Sequence, residues 1–135
     1  KYPTIEPYKT EWKVFDSKSS IAGTIDMVYK KPNGELFIFD WKRTTKLVND
    51  IGTIIKSDFE YGYDELENLS NNSYNKYCLQ QNLYKYILED NYGEKVSSMN
   101  ILVLHPRYHT YFHLQVPNLI KETEFLIRKA REKSI

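Results

Sequence analysis

The feature that most constrains the fold is a tight turn between two strand-forming segments, Lys31-Pro32-Asn33-Gly34-Glu35. Proline fixes φ near about −65° at the first corner of a type I turn. Glycine readily adopts the left-handed conformation that follows. A three-residue loop, Pro32-Asn33-Gly34, therefore predicts a β-hairpin in which Lys31 pairs with Glu35.

The register of this hairpin brings charged residues together. Counting back along both strands sets Asp26 directly opposite Asp40. Opposed residues share a face, with Cβ atoms about 4.5–5.5 Å apart. Alternation adds Lys42 to that face and turns Trp41 to the other. A two-residue loop would move Asp26 to the face of Trp41, so the prediction depends on the turn.

The remaining pattern predicts a single α/β domain over residues 1–135, a length that suits one core. Strand patterns cover 9–16, 20–30, 36–42, 98–105 and 108–114, helical patterns cover 74–90 and a segment opening at Pro117, and 43–73 is a loop or insert. A three-strand meander would then be followed, through a helix, by a strand that can lie parallel in the same mixed sheet. We expect the first core helix, upstream of Lys1, to cover the open face of the hairpin.

Composition excludes several classes of protein. The single cysteine, Cys78, excludes an internal disulfide framework and a cysteine-only metal site in this chain. No apolar run approaches the roughly 18 residues of a membrane span, so we expect no membrane partner. Without a signal-peptide pattern, and with Lys1 as its first residue, the chain is expected to be part of a longer intracellular protein.

The three charged residues of the hairpin are typical of metal-assisted phosphate chemistry. Two close carboxylates repel each other unless a cation lies between them, and a hard divalent cation suits oxygen ligands. Such a cation can activate water, and a neighbouring lysine can stabilise a phosphate in its transition state. The alternative is a cross-strand surface ion pair of Asp26 with Lys42, which leaves Asp40 solvated.

Three spaced motifs resemble those of the PD-(D/E)XK nuclease superfamily, in its RecB-like branch, which includes mitochondrial genome-maintenance exonucleases. They are Gly23-Thr24-Ile25-Asp26, Asp40-Trp41-Lys42 and Gln80-x-x-x-Tyr84, and the resemblance covers residues 11–105. It implies a restriction-endonuclease-like core, a mixed sheet flanked by helices, that cleaves DNA with Mg²⁺ or Mn²⁺. By this resemblance the metal ligands are Asp26, Asp40 and the backbone carbonyl of Trp41, and Lys42 is the catalytic lysine.

The resemblance also implies roles for polar residues outside the hairpin. Gln80 and Tyr84 would orient the lysine or the scissile phosphate, the alternative being a polar helix edge. Glu11 would be an outer or second-metal ligand, the alternative being a solvated strand end. Two departures are the tryptophan at position 41, where the superfamily usually has an acid, and the lack of any histidine before His105.

Basic and aromatic residues after the third strand are candidates for nucleic-acid contacts. Arg43 and Lys46 could hold phosphates. Unpaired bases could stack on tyrosines of the insert and the next helix, namely Tyr61, Tyr63, Tyr74 and Tyr77. The alternative is that these rings pack within an ordered loop.

The resemblance implies an exonuclease on single-stranded DNA in replication, recombination or repair, with helicase or primase domains as candidate neighbours in the full-length protein. Two alternatives remain open. One is an endonuclease acting on DNA or RNA, and the other is a catalytically silent nuclease-fold module that only binds nucleic acid.

Overall fold

The elements follow the predicted order. The computed structural model describes residues 6–44, 47–49, 52–54, 73–108 and 110–133. These form β1 (Glu6–Asp16), β2 (Ile21–Lys30), β3 (Leu36–Arg43), α1 (Ser73–Asn91), β4 (Val96–Leu104), β5 (Phe112–Gln115) and α2 (Ile120–Lys133). Within the described segments, neither helix has the length and apolar character of a membrane span.

The five strands form one mixed sheet in the order β1-β2-β3-β4-β5. Neighbouring strands are antiparallel except β3 and β4, which are parallel. The parallel pair follows from α1, because a crossover helix returns the chain to the edge from which β3 began. The prediction of an α/β domain with a mixed sheet is confirmed.

The hairpin turn has the predicted geometry. Gly34 has φ +90°, and its N–H donates to the Lys31 carbonyl at 2.9 Å. The Lys31 N–H donates to the Glu35 carbonyl at 2.8 Å. The same register continues along the strands from Lys30–Leu36 to Met27–Phe39. The loop therefore has the length on which the alignment of Asp26 with Asp40 depends.

Alternation along β3 separates two faces of the sheet. Leu36 and Ile38 are fully buried in the core, which α1 closes through Ile87 and Leu88. On the other face, Phe37 and other aromatic and polar side chains line an open groove. No residue of either described helix lines that groove. The helix expected upstream of Lys1 stays a prediction, because it would lie outside the described residues.

The fifth strand starts later than predicted. The prediction placed it over 108–114, but it runs from Phe112 to Gln115. The preceding residues form a turn closed by the Tyr108 N–H and the His105 carbonyl at 3.0 Å. The Tyr108 side chain is buried and its hydroxyl donates to the Val48 carbonyl at 2.6 Å. Tyr108 thus anchors the insert instead of extending the strand.

The last helix also begins later, at Ile120 and not at Pro117. The reason is a contact with Asn82 of α1. The Asn82 amide donates to the Pro117 carbonyl at 3.0 Å and accepts the Leu119 N–H at 2.8 Å. The Pro117 carbonyl and the Leu119 N–H bond to Asn82 of α1 and not to groups of α2. The backbone hydrogen bonds of α2 therefore start with the Thr123 N–H, which donates to the Leu119 carbonyl.

The start of the insert belongs to the core. Leu47 and Val48 are fully buried, and Val48 forms an isolated antiparallel bridge with Ile54. The 43–73 segment is therefore more than a surface loop where it is described. Of the predicted nucleic-acid contacts in it, Lys46, Tyr61 and Tyr63 lie outside the described residues.

A buried carboxylate joins the first strand to the last helix. Asp16, at the end of β1, is fully buried and accepts hydrogen bonds from Arg131, Asn91 and the Ser19 N–H at 2.9, 2.9 and 3.0 Å. Burial alone would raise the pKa of Asp16, but these hydrogen bonds outweigh it and hold the pKa well below its usual value. Arg131 on α2 therefore serves the fold.

Candidate active site

The hairpin places two carboxylates at the point where β2 separates from β3. The backbone ladder ends at Met27–Phe39. Beyond it, Asp26 Oδ2 accepts the Trp41 N–H at 2.9 Å, a bond that replaces a missing ladder bond. Asp40 is buried on the face covered by α1, whereas the Trp41 side chain is half-exposed in the groove on the other face. The predicted juxtaposition of Asp26 and Asp40 is present.

Asp40 lies in an environment that disfavours its charge. Burial is the main cause that raises its pKa to about 6, and the neighbouring Asp26 adds to the rise. Lys42 opposes it, with Nζ 2.8 Å from Asp40 Oδ2. The surface ion pair of Asp26 with Lys42, considered as an alternative, does not match this arrangement, because Asp40 is the buried partner of the lysine.

The helix α1 holds the Lys42 ammonium from the opposite side. Lys42 Nζ lies 3.4 Å from Gln80 Oε1 and 4.2 Å from the centre of the Tyr77 ring. Only 20% of the lysine side chain is exposed. The structure therefore brings Lys42 together with Gln80, and adds Tyr77 to the contact.

Tyr84 approaches the carboxylates because residue 23 is glycine. A Cβ built at Gly23 would lie 2.4 Å from Tyr84 Cε1, closer than any real contact. The buried Tyr84 hydroxyl forms a hydrogen bond with the Thr24 backbone. Burial raises the pKa of this hydroxyl, and the charge of Asp40 raises it further. The glycine of the first motif thus makes room for the tyrosine of the third.

We expect Gly23→Ala to destabilise the protein by about 1–3 kcal/mol, because the added methyl group must displace a packed ring. Urea denaturation measures the loss. Gly34→Ala serves as a comparison without a clash, since a Cβ there meets no atom within 4 Å and its cost comes from the φ of +90° alone. In a Tyr84→Leu background the cost of Gly23→Ala should fall. An unchanged cost there would mean that the ring is not the obstacle.

The donor set fits a hard divalent cation. Asp40 Oδ2 is enclosed, and its ion pair with Lys42 Nζ at 2.8 Å leaves acceptor capacity for a cation beside Asp26. Among the described segments, no cluster of three or more His, Cys, Asp or Glu could hold a metal ion. Two carboxylates are nevertheless enough for Mg²⁺, which commonly keeps water and substrate phosphate as its other ligands.

The pKa of Asp40 predicts how stability depends on pH in the absence of metal. The pKa of Asp40 is about 6 in the folded protein and 3.8 ordinarily, so protonation of Asp40 stabilises the folded state. This stabilisation is complete below pH 3.8 and is lost as the pH rises through 6. We expect wild type to lose about 2–3 kcal/mol relative to Asp40→Asn across this window. Urea denaturation in EDTA at several pH values measures the difference. A constant difference would contradict the assignment.

Two further predicted site residues, Glu11 and Arg43, are exposed. Glu11 has φ +47°, and its neighbours in β1 pair with residues on either side of Asp26, so the register sets Glu11 beside Asp26 on the adjacent strand. It is not part of any three-ligand cluster in the described chain. Arg43 is exposed at the end of β3, where alternation from Lys42 turns it toward the Trp41 face. The structure does not bring Arg43 to the face of the carboxylates.

The two described tyrosines of the stacking hypothesis pack inward. Tyr74 is partly buried against the core and hydrogen-bonds Cys78, and burial raises the pKa of its hydroxyl. Tyr77 is also partly buried, with one ring face against Lys42. This arrangement favours packing, the alternative considered for these rings.

Sequence reasoning missed two features of α1. It did not link Tyr77 with Lys42, although Tyr77, Gln80 and Tyr84 have the spacing of one helical face. It also missed Gln81, which is fully buried although neither polar atom of its amide has a hydrogen-bond partner among the described residues. No pattern in the sequence distinguishes Gln81 from the exposed polar residues of the helix.

In comparisons with known proteins, no protein-family model matches the chain, and no curated protein matches its sequence.

Proposed function

We propose that the chain is a divalent-metal-dependent deoxyribonuclease domain of the PD-(D/E)XK type. The observation that supports this most is the buried Asp40, whose carboxylate lies beside Asp26 and 2.8 Å from Lys42 Nζ. Placing a second carboxylate beside a buried one destabilises a protein unless a proton or a bound cation relieves the repulsion, and such costly pairs are typical of functional sites. Binding a cation is the use that their chemistry fits.

The carboxylates and the lysine would have different roles in phosphodiester hydrolysis. Asp26 and Asp40 would hold Mg²⁺ or Mn²⁺, which supplies an activated water and neutralises phosphate charge. Lys42 contacts Asp40 directly, so its ammonium lies next to any phosphate bound at the carboxylates. There it can stabilise the negative charge that grows on the phosphoryl oxygens in the transition state.

The third motif keeps these groups in place. Gln80 accepts from Lys42 Nζ at 3.4 Å and so limits where the ammonium can move. Tyr84 fills the space between α1 and β2 next to both carboxylates. A site held by a helix and two strands keeps its geometry during the reaction, which is what electrostatic stabilisation requires.

Single-stranded DNA with a free end is the proposed substrate, on the basis of the family resemblance. The test incubates the purified chain with end-labelled single-stranded DNA, duplex DNA and RNA, with Mn²⁺ or with EDTA. Mn²⁺-dependent cleavage of DNA that EDTA and Asp40→Asn abolish supports the proposal. Binding without cleavage under all conditions would instead support a silent nucleic-acid-binding module.

A second comparison separates the two modes of cleavage. Linear and circular single strands of one sequence are digested in parallel with Mn²⁺. An exonuclease should degrade only the linear strand, because it needs an end. Equal rates on both strands would replace the exonuclease with an endonuclease.

A further inference from the structure

We propose that Tyr77 is a positioning residue for Lys42, whose ammonium it holds against its ring face at the carboxylate pair. This inference rests on the proposed nuclease function for its kinetic part only. The contact itself is a property of the free protein and can be measured without any substrate.

Among the described residues, three groups contact the Lys42 ammonium, and they constrain it differently. Asp40 Oδ2 is the nearest at 2.8 Å and attracts the ammonium through its charge. Gln80 Oε1 at 3.4 Å gives one directed contact. The Tyr77 ring, 4.2 Å from Nζ, supplies a broad surface of negative potential within cation–π range.

A lysine needs such support more than most catalytic groups do. Its flexible stem loses rotamer freedom when it is fixed. A cation–π contact is stronger where the cation is desolvated than at an exposed site. The Lys42 side chain is only 20% exposed, so partial desolvation strengthens its contact with Tyr77.

The ring should matter most when Asp40 has another partner. If the carboxylates bind a cation, the charge of Asp40 is shared and its hold on Lys42 weakens. Gln80 and Tyr77 carry no charge that a cation would neutralise, so they keep the ammonium in place. The ring face against Lys42 is therefore not a free surface for a stacked base.

The test compares Tyr77→Phe, which keeps the ring, with Tyr77→Leu, which removes it. Tyr111→Leu is the matched control, since it removes an exposed ring on the groove side of the sheet. Proton NMR of the lysine ε-methylene groups, with the Lys42 resonance assigned from its loss in Lys42→Met, reports the contact. A proton over an aromatic face resonates upfield of one in water.

We expect an upfield Lys42 resonance in wild type, Tyr77→Phe and Tyr111→Leu, and its return toward the solvent-exposed position in Tyr77→Leu. On single-stranded DNA with Mn²⁺, Tyr77→Leu should lower kcat about 3- to 30-fold with KM unchanged, and Tyr77→Phe should retain kcat.

Each outcome bears on one proposal. An unshifted Lys42 resonance in folded wild type overturns the positioning role, whatever the activity. An equal fall of kcat in Tyr77→Phe and Tyr77→Leu also overturns it, because the hydroxyl would then matter and not the ring. An upfield resonance in a protein that cleaves no nucleic acid supports the contact and removes the nuclease proposal.

Discussion

Asp40→Asn is expected to abolish DNA cleavage, with a loss of at least about 10³-fold, while the protein stays folded. Asparagine keeps the shape of the side chain but removes the charge that a divalent cation requires. The metal-free variant should unfold at a higher temperature than wild type at neutral pH, because a buried charge that disfavours folding has gone. Cleavage of labelled single-stranded DNA and thermal unfolding in EDTA measure the two effects.

The control for this result is Asp90→Asn, the same change at a more exposed carboxylate that pairs with Arg131. It should retain the cleavage rate. Adding Mn²⁺ should stabilise wild type and the control but not Asp40→Asn, since only a ligand of the folded state raises its stability. Full cleavage by Asp40→Asn would end the proposal for this site.

Lys42→Met is the second variant with a large expected effect, a fall of about 10²–10³-fold in kcat. Methionine fills much of the space of the lysine stem but carries no ammonium, so transition-state charge on the phosphoryl group loses a partner. Binding of Mn²⁺ should persist, because the carboxylates remain. Single-turnover cleavage and calorimetric titration with Mn²⁺ measure these separately.

The pH of this experiment matters. Lys42 holds the pKa of Asp40 down, so its removal favours the protonated carboxyl. Titration at about pH 8.5 keeps Asp40 ionised in both proteins. Lys85→Met, on the outer side of α1, is the control and should bind Mn²⁺ and cleave as wild type does. Loss of Mn²⁺ binding in Lys42→Met at this pH would make Lys42 a structural ion-pair partner and not a catalytic group.

The hairpin part of the site could be predicted because one local rule determines it. The Pro32-Asn33-Gly34 turn sets the loop length, the loop length sets the register, and the register sets which residues face Asp40. None of these steps requires knowledge of the tertiary structure. The face shared by Gln80 and Tyr84 followed equally directly from helical spacing.

The features that were missed depend on how elements pack. Tyr77 reaches Lys42 only because of the rotation of α1 over the sheet, which no local pattern specifies. The late start of α2 likewise depends on Asn82, a residue of another helix that takes the backbone groups at Pro117 and Leu119. A side chain that hydrogen-bonds to the backbone of another element leaves no periodic pattern in the sequence.

The contact between Asp16 and Arg131 has a consequence for the order in which the chain folds. Its two partners are 115 residues apart in sequence, so it closes one of the longest loops in the domain. Contacts between residues so far apart in sequence form late, because the chain loses the entropy of closing the loop before the contact stabilises the fold. Until α2 docks, Asp16 at the end of β1 has hydrogen-bond donors in Ser19 and Asn91 but lacks the charge of Arg131. During synthesis on the ribosome, this ion pair can form only after residue 131 has emerged.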